Sequence, residues 1–206
     1  MTVRLNLPNR ITLARLGLAI VFLILLSQYA HGKSGLWMLD FAASLFIVAA
    51  ATDMVDGYIA RSRNLITPLG RVLDPLADKV LVCGAFILFT GPNFVDSTGR
   101  NVTEVQGWMV VVIVGRELLV TGLRGFHESV GRAFGASIHG KVKMWMQSIA
   151  APTILVVVAH EANWFTPSAA TAIKATLVWL TVLATALSMF QYLARSRIIL
   201  EESAPA

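Results

Sequence analysis

Between Asp53 and Asp78 the chain reads D-M-V-D-G-Y-I-A-R-S-R-N-L-I-T-P-L-G-R-V-L-D-P-L-A-D, so that Asp53, Asp56, Asp74 and Asp78 stand between two strongly apolar segments where charge is otherwise scarce. An ionised Asp near a bilayer centre costs about 2.5–3.5 kcal/mol on insertion scales. Such a cluster has to lie near the headgroups and be neutralised there, and a divalent cation is the simplest partner. Asp53 and Asp56 are three residues apart and Asp74 and Asp78 four apart, so on two helices each pair shares a face and the two faces can converge. All four donors are hard oxygens with no His or Cys among them, which suits Mg²⁺ or Mn²⁺ better than zinc. Two facing carboxylate pairs could hold two ions, the arrangement that clamps one phosphoryl centre from its attacking and leaving oxygens. Gly57 directly follows a carboxylate and admits a bulky ligand to the backbone; Gly70 is expected to do the same in a connecting loop shaped by Pro68. Arg61, a fixed cation, can grip a phosphate bidentately. Acids for metal, small residues and one arginine describe a diphosphate site.

The stretch resembles the signature of the CDP-alcohol phosphotransferase family, D-x-x-D-G-x-x-A-R, eight residues, G-x-x-x-D-x-x-x-D. Asp53, Asp56, Gly57, Ala60, Arg61, Gly70, Asp74 and Asp78 fill it without a substitution or a change of spacing. The resemblance implies attack by an alcohol on the lipid-linked phosphate of a CDP-activated lipid such as CDP-diacylglycerol, with release of CMP. It implies metal ligation by Asp53, Asp56, Asp74 and Asp78, and Asp78 as general base. Asp56, Gly57, Ala60, Arg61 and Gly70 would hold the CDP diphosphate. A homodimer is the family's common state.

At 206 residues, 56% of them hydrophobic and 14% charged, with a mean hydropathy of +0.68, the chain reads as one domain, residues 1–206, whose solvent is mostly lipid. The expected fold is an all-α integral membrane protein of six transmembrane helices preceded by a short interfacial helix over residues 2–10. The spans are expected at Ile11–Ser27, Leu36–Ile59, Asp74–Phe89, Gly107–Leu123, Val142–His160 and Ala169–Leu193. A cleaved signal peptide is the alternative for the first, but S-Q-Y-A-H-G offers no good cleavage site. Asp74 before Pro75 also reads as a helix N-cap followed by the first helical residue. An outer loop is expected from Gly91 to Gln106, and a basic, glycine-bearing loop from Gly122 to Lys143; His127 and His139 fall in the latter, His31 and His160 at the outer interface. The single Cys83 excludes an intramolecular disulfide and suits packing.

With the N-terminus inside, all lysines and arginines except Lys33, Arg100 and Lys174 fall on or near the side of the carboxylates, while Trp37, Trp108 and Trp164 mark the opposite boundary. Both patterns place the site toward the cytoplasm. With no transit segment in view, a bacterial plasma membrane is the expected location. The balance of +5 suits anionic membrane lipids and phosphorylated substrates rather than nucleic acid, because the basic residues are not interleaved with aromatics on a soluble face. Arg116, Arg124, Lys141 and Lys143 gather positive charge around the fourth and fifth spans, which suits an acceptor carrying its own phosphate, such as glycerol 3-phosphate. Anchoring to anionic headgroups is the alternative for Arg132 and Lys143, and an intramembrane pair with Glu117 the alternative for Arg116. N-L-P-N-R-I-T-L-A-R at residues 6–15, R-E-L-L-V-T-G-L-R at 116–124 and G-K-V-K from Gly140 resemble the family branch that uses glycerol 3-phosphate; Trp145 departs from it, where a Thr is common. Phosphatidylglycerol, inositol phosphate and serine are the alternative acceptors. A divalent-cation carrier would also place acids in a membrane, but the other spans carry no midplane acids to continue a path.

Overall fold

The structure, a computed structural model, describes residues 7–62, 68–129, 131 and 138–201. Within its helices the side chains of residues 7, 8, 54–62, 68, 69, 71, 72, 128, 139 and 197–201 fall outside the description. Among the described residues six helices follow one another: α1 (Leu7–Gln28), α2 (Trp37–Ser62), α3 (Pro68–Phe89), α4 (Gly107–Ser129), α5 (Ile138–Trp164) and α6 (Pro167–Glu201), with one 3-10 turn at Pro92–Phe94. Among the described residues, α1, α5 and α6 contain segments long and apolar enough to cross a membrane by length and composition, at Asn9–Gln28, Gly140–Trp164 and Pro167–Ser196.

Short connections force neighbouring helices to run antiparallel. At one end, the Asn93 side chain beyond α3 donates to the carbonyls of Leu26 and Ser27 at the end of α1, at 3.2 and 2.7 Å. His160, late in α5, meets Asp40, early in α2, with Nε2 and Oδ1 2.9 Å apart. The helices form a ring in which α1 packs on α2 and α3, α2 on α5, α5 on α6 and α6 on α4, whereas α3 and α4 touch more lightly. The ring therefore has a seam, and the site lies along it.

Small residues let the backbones approach. The A-A-S and V-A-A-A-T stretches of α2 bury Ala42, Ala43 and Ala49, and α5 buries Ala150 and Ala151, the packing that helices in lipid use in place of a hydrophobic drive. Gly84 of α3 serves the same end, because a Cβ there would lie 2.6 Å from the Leu23 side chain of α1. Aromatic side chains fill the other end of the core: Phe22 packs edge-on against Phe46 with centroids 5.5 Å apart, and Phe94 packs 5.6 Å from Phe89 and 5.1 Å from Tyr29. Burial, and then the charge of Glu161, push the Tyr29 phenol up to about 12, so it stays neutral at working pH. Outward, the helices present Ile24, Val111, Leu118, Leu187 and Phe190, all more than half exposed. A soluble monomer does not leave a belt of that size facing water; lipid is the solvent that fits it. Trp37, Trp108 and Trp164 are also exposed, each at a helix end opposite the carboxylates.

Several expected boundaries shift. Leu7–Arg10 form the first turn of α1 rather than a separate interfacial helix; the rest of that segment lies outside the described residues. Helix α3 begins at Pro68, the first helical position that a proline tolerates, so Gly70 is a buried residue of its first turn and not part of a loop. Asp74 is accordingly no N-cap: it sits inside α3, and Pro75 is an internal proline. The basic loop is shorter than expected, since Gly122–Ser129 continue α4 and Ile138–Lys143 open α5. His127 and His139 therefore lie on helices, and His127 is buried. Residues 132–137, Arg132 among them, lie outside the description.

Candidate active site

The end of the ring that carries the N-terminal halves of α1, α3 and α5 and the C-terminal halves of α2, α4 and α6 gathers charge around one cavity of about 310 Å³. Asp53, Asp74 and Asp78 line it from α2 and α3; Arg116 and Arg124 line it from α4; Lys141 and Lys143 line it from α5. Residues far apart in sequence are thus brought to one place, acids on one wall and cations on the other. Asp56, Gly57, Ala60 and Arg61 belong to the last turns of α2, and their side chains lie outside the description.

The acidic wall is tied to α1. Arg15, 1% exposed although charged, donates from Nη1 to Asp53 Oδ1, and its Nη2 lies 3.7 Å from Asp74 Oδ1. Thr12, one turn earlier, donates its hydroxyl to the same Asp74 oxygen at 2.7 Å. A buried guanidinium is tolerated only when paired, and here it joins two carboxylates from different helices. Those two carboxylates remain partly open, with side chains 36% and 47% exposed.

The basic wall is a network. Glu117, itself buried, accepts from Arg116 Nη1 at 3.2 Å and from Lys143 Nζ at 2.5 Å. Arg116 Nε donates to Ser188 Oγ at 2.8 Å, and Arg124 Nη2 donates to Tyr192 Oη at 3.0 Å. Arg116 is therefore both paired with Glu117 and part of the cavity wall. Lys79, beside Asp78, donates to the Pro75 carbonyl at 3.2 Å and also lines the cavity. One acid among several cations leaves this wall positive, able to hold an oxyanion.

Two apolar grooves leave the charged cavity. One, of about 240 Å³, shares Asp53 and Asp78 and runs along Ala49, Ala50, Leu81, Trp145 and Ile149 between α2 and α5. The other, of about 340 Å³, shares Lys79 and Glu117 and runs along Leu23, Val80, Gly84, Ile87, Val114 and Leu118 at the α3–α4 seam. A polar centre with apolar exits suits a ligand that is ionic at one end and lipid at the other.

Among the described residues no three His, Cys, Asp or Glu side chains converge as a ready metal site. The donors nevertheless fit a hard divalent cation. Asp53, Asp74 and Asp78 are all carboxylates at one cavity, two of them already share a single positive group, and the fourth signature carboxylate, Asp56, lies outside the described side chains. The sequence pointed to no site role for Lys79, Ser188 or Tyr192, and Thr12 and Arg15 entered only within the family-like segment 6–15. Arg15 had a signal, since an arginine inside an apolar run needs a partner; Ser188 and Tyr192 had none, being ordinary residues of an apolar helix.

An all-helical chain with a lipid-facing surface and an acid-and-base cavity opening onto apolar grooves defines a membrane enzyme class that handles phosphorylated lipids. The particular family follows from comparison. A family model described as CDP-alcohol phosphatidyltransferase matches residues 5–194. Over 158 residues the chain is 40% identical to the CDP-diacylglycerol--glycerol-3-phosphate 3-phosphatidyltransferase of Bacillus subtilis (strain 168), covering 73% of this chain and 77% of that protein. It is 37% identical over 158 residues to the protein of the same name from Rickettsia bellii (strain RML369-C), covering 77% and 78%. The match to the one from Sodalis glossinidius (strain morsitans), 28% identical, extends over 200 residues, 94% of this chain and 96% of that one. The chain belongs to the CDP-alcohol phosphatidyltransferase family.

Proposed function

We propose that the protein transfers the phosphatidyl group of CDP-diacylglycerol to glycerol 3-phosphate, giving phosphatidylglycerophosphate and CMP. The observation that carries this reading is the separation of charge around one cavity: carboxylates on the α2–α3 side, and Arg116, Arg124, Lys141 and Lys143 on the α4–α5 side. The carboxylates of the first wall would hold the metal that a diphosphate requires, and an acceptor with its own phosphate belongs on the second. The names of the relatives support the same pair of substrates.

In this reading an acceptor hydroxyl oxygen attacks the phosphorus that bears the diacylglycerol. The bond from that phosphorus to the CMP oxygen breaks, CMP leaves with the electron pair, and Asp78 takes the hydroxyl proton. Asp53, Asp56, Asp74 and Asp78 would hold Mg²⁺ or Mn²⁺, which would supply positive charge against the diphosphate. Gly57, Ala60, Arg61 and Gly70 hold the nucleotide end, and the four basic residues fix the acceptor phosphate so that its hydroxyl faces the phosphorus. Acyl chains lie along the apolar grooves.

The same reading has six spanning helices, the N-terminus and the active site facing the cytoplasm of a bacterial inner membrane, and a homodimer; support comes from the positive-inside pattern, the apolar outer surface and the family. Domain organisation is read as a single unit, in keeping with the extent of the family match.

The test is CMP release by purified protein in detergent, with CDP-diacylglycerol and either metal, comparing glycerol 3-phosphate with serine, inositol phosphate and phosphatidylglycerol, and with the lipid product identified. Release that requires both metal and glycerol 3-phosphate is expected; release with another acceptor alone refutes the acceptor assignment. Asp78→Asn is expected to abolish turnover while sparing nucleotide binding, and full activity in that variant refutes the base assignment.

A further inference from the structure

Among the described residues, helix α6 contributes no charged residue to the cavity, yet it holds both arginines of the basic wall. Ser188 and Tyr192 lie four residues apart on one face of α6 and are 0% and 1% exposed. Ser188 Oγ accepts from Arg116 Nε at 2.8 Å, and Tyr192 Oη accepts from Arg124 Nη2 at 3.0 Å. The Tyr192 ring also lies under both guanidinium groups, its centroid 5.3 Å from Arg116 Cζ and 5.8 Å from Arg124 Cζ, within the reach of a cation–π attraction. Tyr192 itself lines the cavity.

Two guanidinium groups aimed at one anion repel each other before the anion arrives. A neutral aromatic ring within reach of both attracts each through its quadrupole without adding a negative charge that would compete with the ligand. Glu117 cannot replace it, because a carboxylate neutralises the wall it steadies, and it already serves Lys143. Fixing the two long side chains in advance lowers the ordering cost that binding would otherwise carry. Among the described residues, Arg124 Nε is buried without a hydrogen-bond partner, a donor left for an incoming oxyanion.

We infer that Tyr192, assisted by Ser188, is a positioning residue for the acceptor: it presets Arg116 and Arg124 to receive the phosphate of the phosphorylated alcohol. The inference rests on the acceptor pocket proposed above. It specifies that the acceptor's affinity, and not that of the CDP-lipid, depends on α6.

Steady-state kinetics in detergent, varying each substrate in turn, test it. Tyr192→Phe keeps the ring and removes the acceptor of the Arg124 bond; KM for glycerol 3-phosphate should rise about tenfold, equivalent to about 1.4 kcal/mol, while KM for CDP-diacylglycerol and kcat hold within about twofold. Tyr192→Leu should raise the same KM further, and Ser188→Ala should raise it through Arg116 with the ring intact. A Tyr192→Phe protein whose two KM values move together, or whose kcat falls with KM unchanged, overturns the inference. Arg116→Gln and Arg124→Gln separate the two levels: if neither alters KM for glycerol 3-phosphate, the acceptor pocket itself is wrong. If both raise it and the Tyr192 and Ser188 variants do not, the pocket stands and the positioning role falls.

Discussion

Glu117 is the residue whose removal should cost the fold most and the reaction in the most diagnostic way. Its side chain is 8% exposed and its two partners, Arg116 and Lys143, are 6% and 5% exposed. Glu117→Ala leaves two buried cations without their shared counter-ion. Arg116 keeps Ser188 and the Tyr192 ring, whereas Lys143 loses the acceptor 2.5 Å from its ammonium. Removing one partner of a buried pair costs about 3–5 kcal/mol, chiefly through the charge left behind. With Arg116 still held, the lower end applies, about 3 kcal/mol. For a chain of this length that lowers the melting midpoint by about 6–12 °C. The assay is thermal unfolding in detergent micelles followed by intrinsic fluorescence, with and without glycerol 3-phosphate. Because the stranded cations face the cavity, the acceptor should recover more of the loss in Glu117→Ala than it adds to the unaltered protein. Lys143→Met in the Glu117→Ala background should also restore stability, since the stranded charge goes with it, giving a coupling energy of about 1–3 kcal/mol. A Glu117→Ala protein that melts like the original, or one not restored by Lys143→Met, refutes the reasoning.

Two further outcomes follow from charges elsewhere. Arg15→Met leaves Asp53 and Asp74 facing each other without their guanidinium, at a cost of about 1–2 kcal/mol once their partial exposure is discounted. Mg²⁺ should therefore raise the melting midpoint of that variant more than that of the original, and equal shifts in the two proteins count against carboxylates that await a cation. In the loop between α3 and α4, the Asp96 carboxylate accepts from the Thr98 hydroxyl at 2.6 Å and from the backbone N–H groups of Thr98 and Arg100 at 2.8 and 3.0 Å. The Thr98 hydroxyl first, and then the Arg100 N–H, hold its carboxyl below the ordinary carboxylate range. A lowered folded value means that the turn is fully stabilised above the ordinary range and loses that support as pH falls through the lowered value. The protection factors of the Thr98 and Arg100 amides, taken relative to the intrinsic exchange rate at each pH, should fall on acidification in the original protein and be low at every pH in Asp96→Ala; unchanged protection in that variant assigns the turn to Gly99, whose φ is +83°.

How much of this was legible from residues alone depended on whether the information was local. The spacing of Asp74 and Asp78 needs only the helical repeat, so their shared face on α3 could be read without a fold; the matching pair on α2 includes Asp56, whose side chain lies outside the description. The apolar runs are likewise local, and each expected span coincides with the body of a helix. Helix starts were read less well because the cues compete. Asp74 before Pro75 has the composition of a cap, but Pro68 supplies an earlier start, and α3 then carries Pro75 inside it. The proline withdraws one N–H from the ladder, a defect that helices in lipid tolerate where neighbours re-satisfy the freed groups. Similarly, the glycines and basic residues from Gly122 to Lys143 read as a loop, yet most of them continue α4 or open α5 because packing against α6 and α2 outweighs propensity.

What could not be read is the part supplied by ring closure. Nothing in the composition of α1 distinguishes Arg15 as the group that joins α2 to α3 rather than one more inward-facing cation, and nothing in α6 marks Ser188 and Tyr192 among the residues around them. Their roles exist only because the ring brings α6 beside α4 and α1 beside both α2 and α3. The same closure explains where the site lies. The α1–α2 contact carries an aromatic pair and the α1–α3 contact a glycine, whereas at the lighter α3–α4 contact Asp78 and Lys79 face a cavity together with Arg116 and Glu117; such groups have to keep their polar partners and cannot close like an apolar seam. The cavity opens beside that contact, with α2, α5 and α6 completing its lining, and the two apolar grooves adjoin it. The charged residues thus also account for the light α3–α4 contact, and a polar cavity with apolar grooves beside it is the arrangement that a ligand ionic at one end and apolar at the other requires.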